Sequence, residues 1–219
     1  MEVLGRKFQT PDAGWGPPAC NDGDLAPLGR VPPRGVVWDY FVLISLLILG
    51  FLPQSLRAQT LRENQIKAAF ILNFARFTEW PADAFTATNS PLIIGVLGYD
   101  SFTPVLTETV RNEMVQGHPI KTEHYRTLAE LKNCHILFIS ATESSRLETI
   151  LNAVKGRPIL TVSEIDRAAY RGAIIRMFNQ NNRIQLRLNL PAAKEARITL
   201  SSKLIRVAAD VIPLDPGGK

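Results

Sequence analysis

Leu92-Ile93-Ile94-Gly95-Val96-Leu97-Gly98 is apolar throughout, with glycine as its sole interruption. A strand with one face in water alternates apolar and polar residues. An unbroken apolar strand is covered on both faces, which is the habit of parallel sheets. Two further runs share this character, His135-Ile136-Leu137-Phe138-Ile139-Ser140 and Pro158-Ile159-Leu160-Thr161-Val162. Between them lie segments with helical spacing. Phe102, Val105, Leu106 and Val110 form one stripe, and Leu147, Ile150, Leu151 and Val154 another. Strand and helix therefore alternate, which predicts an α/β fold with an open, mostly parallel sheet flanked by helices. Residues 120–125 are more polar and read as a strand nearer an edge. Residues 128–131 suit a short helix, and 165–169 a single helical turn.

Downstream the pattern changes. Residues 173–178 and 183–189 read as two strands joined by Asn179-Gln180-Asn181-Asn182, which is turn chemistry. This is a C-terminal antiparallel hairpin. A four-residue loop pairs Phe178 with Arg183, Arg176 with Gln185 and Ile174 with Arg187. Arg176, Arg183 and Arg187 then share one face, and Met177, Ile184, Ile175, Leu186 and Leu188 the other. The arginine face is either a solvated strand surface or a basic patch for an acidic partner. A short helix at 191–196 and a brief strand near 198–200 follow. Ser201 then caps a final helix carrying Leu204, Ile205, Ala208, Val211 and Ile212. Pro213 opens a flexible tail at 213–219.

Upstream, residues 63–80 predict a helix stopped by Pro81. Ile66, Phe70, Phe74 and Phe77 stack on one face and are expected in the core. Asn73 falls within that stripe and is expected to be buried, bonded to a loop backbone. Ile71 and Leu72 lie off the stripe and Trp80 at its end. These three are the candidates for contact with a partner or a second subunit.

The first third has a different composition. Residues 1–35 are rich in Pro and Gly without apolar periodicity, and read as disordered or as a leader ahead of the true start, with Val31 a candidate start. Residues 40–52 form an apolar run short of the roughly 20 residues of a membrane span. With Arg34 ahead of it, the run suits a signal peptide over 36–58 cleaved after Ala58. An uncleaved inner-membrane anchor is the alternative. The expected organisation is a leader (1–35), a signal peptide (36–58), a folded domain (59–212) and a tail (213–219), with a periplasmic location.

Composition narrows the function. There are 25 Lys+Arg against 20 Asp+Glu, a net charge of +5. That balance is mildly basic, and without a dense basic run it is no nucleic-acid signature. Two cysteines occur. Cys20 lies in the leader, so Cys134 stands alone in the folded domain, is expected as buried packing, and excludes an internal disulfide framework. No nucleophile elbow, zinc-protease helix or phosphate loop is present, so no catalytic residue, cofactor or metal is assigned. His118 and His124 read as surface residues, and His135 as a strand residue bonded to backbone. Asp100 and Ser101 follow the first strand. Strand ends of this kind border the usual ligand crevice of an open parallel sheet, so these two either line a small-ligand site or cap the next helix.

Four segments together carry a resemblance. They are Lys67-Ala68-Ala69-Phe70-Ile71-Leu72-Asn73-Phe74-Ala75-Arg76-Phe77-Thr78-Glu79-Trp80-Pro81; Ile93-Ile94-Gly95-Val96-Leu97-Gly98-Tyr99-Asp100; Ile159-Leu160-Thr161-Val162-Ser163-Glu164 with Gly172 and the hairpin; and Asn189 with Ser201-Ser202-Lys203-Leu204-Ile205-Arg206-Val207-Ala208. In this order the chain resembles the YfiR family over roughly 63–212. The resemblance implies a non-enzymatic periplasmic repressor. Such a protein binds the periplasmic sensory part of a membrane diguanylate cyclase, lowers cyclic di-GMP and restrains biofilm formation. A homodimer is the expectation by analogy. Its best-known member uses internal disulfides, which the single Cys134 cannot reproduce. The alternative is a periplasmic small-ligand-binding module feeding another membrane sensor protein.

Overall fold

The computed structural model describes residues 40, 54–87, 89–98, 101–131 and 133–214. All of its strands, and the helices packed on them, belong to one compact unit that begins at Pro53. The leader (1–35), most of the expected signal peptide, Asp100 and residues 215–219 lie outside the described residues, while Ala58 lies within them.

The expected sheet forms. β2 (Leu92–Leu97), β4 (His118–Tyr125), β5 (Ile136–Ile139) and β6 (Leu160–Ser163) are parallel neighbours in the order β4-β2-β5-β6. β7 (Ile175–Gln180) continues parallel to β6, and β8 (Arg183–Asn189) returns antiparallel. Two strands not anticipated from the sequence finish the edges. β3 (Met114–Val115) pairs antiparallel with β4, and β10 (Asp210–Ile212) lies parallel to β8. The eight-stranded order is β10-β8-β7-β6-β5-β2-β4-β3.

Alternation along the buried strands divides the core. Leu92, Ile94 and Val96 face one way with Ile136, Phe138, Leu160 and Val162, against α1 (Gln54–Arg76) and α2 (Phe102–Thr109). Leu97, Leu137 and Ile139 face the other way, against α3 (Leu147–Val154) and the 165–169 segment. That segment is a turn, not the expected helical one. Phe102 and Phe138 meet with centroids 4.8 Å apart under the first layer.

α1 corrects several expectations. It ends at Arg76, and Thr78–Glu79 forms β1, which pairs antiparallel with β9 (Thr199–Leu200). Its buried seam is Asn64, Ala68, Ile71, Leu72 and Ala75 with Phe74 beside it. Those positions keep helical spacing, and the alanines let the backbone approach the sheet closely. The seam is therefore rotated about one residue from the phenylalanine stripe. Phe70 and Phe77 flank it, Ile66 is exposed, and Asn73 points to solvent. Ile71 is fully buried and Leu72 nearly so.

The C-terminal end differs too. α4 (Leu190–Glu195) starts with Asn189 as its cap, the side chain accepting from Ala192 N. α5 (Ser202–Val207) is capped by Ser201 as expected but stops at Val207. Val211 and Ile212, expected on the same helix, lie in β10. Two spaced apolar residues fit either a helical turn or a strand, and the free edge of β8 decides for the strand.

Candidate functional site

The hairpin turn is shorter than expected. β7 runs to Gln180, and Asn181 and Asn182 alone make the turn, with φ of 51° and 61°. Two left-handed residues define a type I′ turn, whose twist matches paired strands, and asparagine tolerates that conformation. The register becomes Arg176 with Arg187, Phe178 with Gln185 and Gln180 with Arg183. The shift is by two residues, so the faces are preserved. Arg176, Arg183 and Arg187 still share one.

On that face the arginines differ. The Arg176 guanidinium lies 4.8 Å from the Phe178 ring centroid and pairs with Asp166 at 2.8 Å. Arg187 lies 4.8 Å over Tyr170, 5.6 Å over Phe178, and donates to Asp210 at 2.6 Å. Both are thus largely engaged by their own chain. Arg183, at the hairpin tip, is exposed. Tyr170 is 56% exposed. Exposed tyrosine beside arginine is the composition of interface hot spots. Asn179, Asn182 and Arg183 also line a groove of about 640 Å³ against Arg62, Glu63 and Ile66 of α1.

Of the α1 candidates, Ile71 and Leu72 are core residues, closed to a partner. Trp80 is half-buried. Its Nε1 donates to the His135 carbonyl at 3.3 Å, and its ring meets Phe85 edge-on at 6.4 Å. His135 bonds backbone as expected, through both ring nitrogens. His118 is partly buried against Phe85, and His124 reaches the Gly98 carbonyl at 2.7 Å.

A cavity borders the carboxyl end of β2, and Ser101 is not among the residues that line it. Connections from β2 lead first to β4 on one side and then to β5 on the other, so the switch of direction falls between β2 and β5. There Gly98 has φ +105°, and a side chain would strike Thr142, Glu143 and Ser140. A cavity of about 850 Å³ opens beside it, lined by Gly98, Thr103, Pro104, His124, Arg126 and Glu143 among others. Thr103 Oγ1 is buried there without a hydrogen-bond partner. Ser101 occupies the cap position of α2, but its side chain makes no capping bond.

Cys134 is buried and free, as expected. It donates to the Ile136 carbonyl at 2.8 Å, and burial pushes its thiol up to about 12. The sequence missed the residues that tie helix to sheet. Lys67 Nζ pairs with Glu164 at 2.6 Å and Glu63 at 2.8 Å. The i,i+4 spacing of Glu63 and Lys67 is visible in the sequence; the reach to Glu164 is not.

Fold and surface together define an α/β domain with a parallel sheet, an arginine–aromatic edge and a crevice at the strand ends. The chain belongs to the YfiR/HmsC-like family, whose profile matches residues 64–209. This is a family of regulators tied to cyclic di-GMP signalling that act with membrane partners. No curated protein matches the chain. Among solved structures it is similar to a conserved domain protein from Vibrio cholerae O1 biovar El Tor, at 13% identity and TM-score 0.42, covering 55% of this chain and 54% of that one. It is also similar to an ABC domain in complex with L-Trp from Streptococcus pneumonia, at 12% identity and TM-score 0.41, covering 55% of each. The chain thus spans about half the length of these structures. Among the described residues no helix is long and apolar enough to cross a membrane.

Proposed function

We propose that the chain is a periplasmic, non-enzymatic regulator. It binds the periplasmic sensory part of an inner-membrane diguanylate cyclase and holds the enzyme inactive, which lowers cyclic di-GMP and biofilm formation. The family match over 64–209 carries this reading. Contact must favour the inactive cyclase arrangement, because a binder with equal affinity for both states shifts nothing. The hairpin tip at Arg183 and the exposed Tyr170 are the docking candidates, with Trp80 secondary and a homodimer as the working assembly. Deletion should raise cyclic di-GMP and surface attachment. An unchanged level in the deletion strain would overturn the proposal.

The crevice beside Gly98 supports a second reading, a small-ligand module, through its volume and the unpartnered Thr103 hydroxyl. A ligand there would raise the melting temperature by mass action. A thermal-shift screen with no hit would count against it.

A further inference from the structure

We propose that His135 is an acid-sensitive latch holding down a strap, described over residues 80–87 and 89–91, which releases when the imidazole gains a proton. The strap joins β1 to β2 and includes the 3₁₀ turn Ala82–Ala84. His135 lies just before β5 and is 5% exposed.

The hydrogen bonds fix the charge of the ring. Nδ1 stands 3.1 Å from Ile93 N, which can only donate. Nε2 stands 3.1 Å from the Ala84 carbonyl, which can only accept. The ring therefore carries its one proton on Nε2 and is neutral. A second proton on Nδ1 would face the Ile93 N–H, donor against donor. That bond would be lost and a charge left in a buried site.

The strap depends on this ring for more than one bond. Phe85 stacks on His135 at 4.5 Å and 18°. His118 stacks on Phe85 at 3.8 Å and 8°. Two parallel rings at such distances cannot share one side of Phe85, so it is sandwiched between them. Trp80 adds an edge contact to His135 at 6.5 Å and its bond to the His135 carbonyl. Protonation cancels the Ile93 bond while Nε2–H can still donate to the Ala84 carbonyl, so the strap loosens as the charged ring leaves its buried site for the adjacent cavity.

The charged surroundings oppose protonation. From β4 comes His118, and from the loop before β6 comes Arg157; both are basic. Asp83 on the strap is the one carboxylate among the described residues lining the adjacent cavity, and Arg197 holds it at 2.8 Å. The neighbouring Cys134 thiol is neutral. Glu79 on β1 points to solvent. Desolvation places the His135 pKa below the ordinary imidazole value, against a smaller upward pull from the Ala84 carbonyl, and repulsion from His118 adds the least. The cavity of about 320 Å³ beside the ring gives water a route to the imidazolium.

The sign follows from linkage. The native ring binds its proton less readily than the unfolded one. The bonds it makes are intact above about pH 6.5, and are lost as pH falls through the lower native value.

Amide hydrogen exchange of the full chain tests the latch. After correction for intrinsic rates, strap amides should lose protection about tenfold or more between about pH 7.5 and about pH 5. Amides of β5 should keep theirs. In His135→Asn the side-chain carbonyl can still accept from Ile93 but cannot titrate, so the response should vanish. In His118→Asn the bond to the Ser90 carbonyl at 2.7 Å is also lost, so strap protection should be lower throughout, but the acid response should persist. Ring NMR of the unaltered chain should show His135 titrating with the strap midpoint, a readout independent of whether either variant folds. The proposal fails if strap and core lose protection together, if His135→Asn keeps the full response, or if the ring titrates without the strap.

Discussion

Tyr125 lays the edge of its ring over the bare α-carbon of Gly95, in the space a β-carbon would fill. Cys134 Sγ sits on the same spot, 2.9 Å from that position. The glycine in the middle of β2 is therefore a packing requirement, not a bend. Its absence of a side chain lets Tyr125, at the end of β4, fold over the sheet, where its hydroxyl donates to Glu123 at 2.6 Å. Gly95→Ala should cost about 1–3 kcal/mol, the usual range for overpacking a tight core. Urea denaturation should show a lower midpoint with an unchanged slope.

Asn189 serves two elements at once. Its Nδ2 donates to the Ala169 carbonyl at 2.7 Å, and its Oδ1 accepts from Ala192 N at 2.9 Å. One amide thus caps α4 and ties β8 to the turn after β6. Asn189→Ala loses both and leaves a buried carbonyl unpaired, at about 2–4 kcal/mol. Asn189→Ser keeps an oxygen for the cap and should lose roughly half as much. Equal losses in the two variants, read from thermal melts, would show that the cap contributes nothing.

The Cys134 thiol should be inert in the native protein. It is buried, its thiolate is disfavoured by desolvation, and its proton is engaged by the Ile136 carbonyl. In a Cys20→Ser chain, a thiol reagent at neutral pH should label Cys134 only as fast as the domain opens. Labelling without added denaturant at the rate of a free thiol would contradict the burial.

Much of this is legible in the sequence. Three unbroken apolar strands and two helical stripes specify the parallel sheet, because burial on both faces leaves no room for polar residues. The roles of Cys134 and His135 follow from their place beside such a strand. The seam of α1 does not. Spacing of large side chains points to Phe70, Phe74 and Phe77, while small Ala68 and Ala75 decide how closely the helix can lie on the sheet. That rotation moves Ile71 and Leu72 from candidate contacts into the core. The register of the hairpin escapes for a similar reason. Four turn-forming residues in a row do not say which two adopt positive φ. The edge strands β1, β3 and β10 are two or three residues long, and only their partners' free edges define them.

Lys67 couples α1 to the end of β6. Burial alone would lower its pKa, but the hydrogen bonds and charges of Glu164 and Glu63 outweigh that and raise it. A raised native value means that folding favours the charged form. The contribution is complete below the ordinary lysine value near 10.4 and fades as pH rises through the higher native one. Lys67→Met should cost about 1.5–3 kcal/mol at neutral pH, the range for hydrogen bonds to charged groups. The difference from the parent should shrink at strongly alkaline pH, checked by denaturation at matched pH values.

Arg183 and Arg187 lie on one face of the hairpin but should behave oppositely. Arg187 holds Asp210 and covers Tyr170, so it fastens the edge strand β10 to the sheet. Arg187→Ala should therefore cost about 1–3 kcal/mol of stability. Arg183 is exposed at the turn, where a substitution falls within about 0.5 kcal/mol. If the hairpin tip docks an acidic surface, Arg183→Glu leaves the melting temperature alone and weakens binding of the isolated periplasmic part of the cyclase. The weakening should be mostly in the association rate and should diminish at high salt, because a rim charge acts by steering. Loss of repression in the cell should accompany it at unchanged protein level. Intact binding by Arg183→Glu would remove the hairpin tip as the contact.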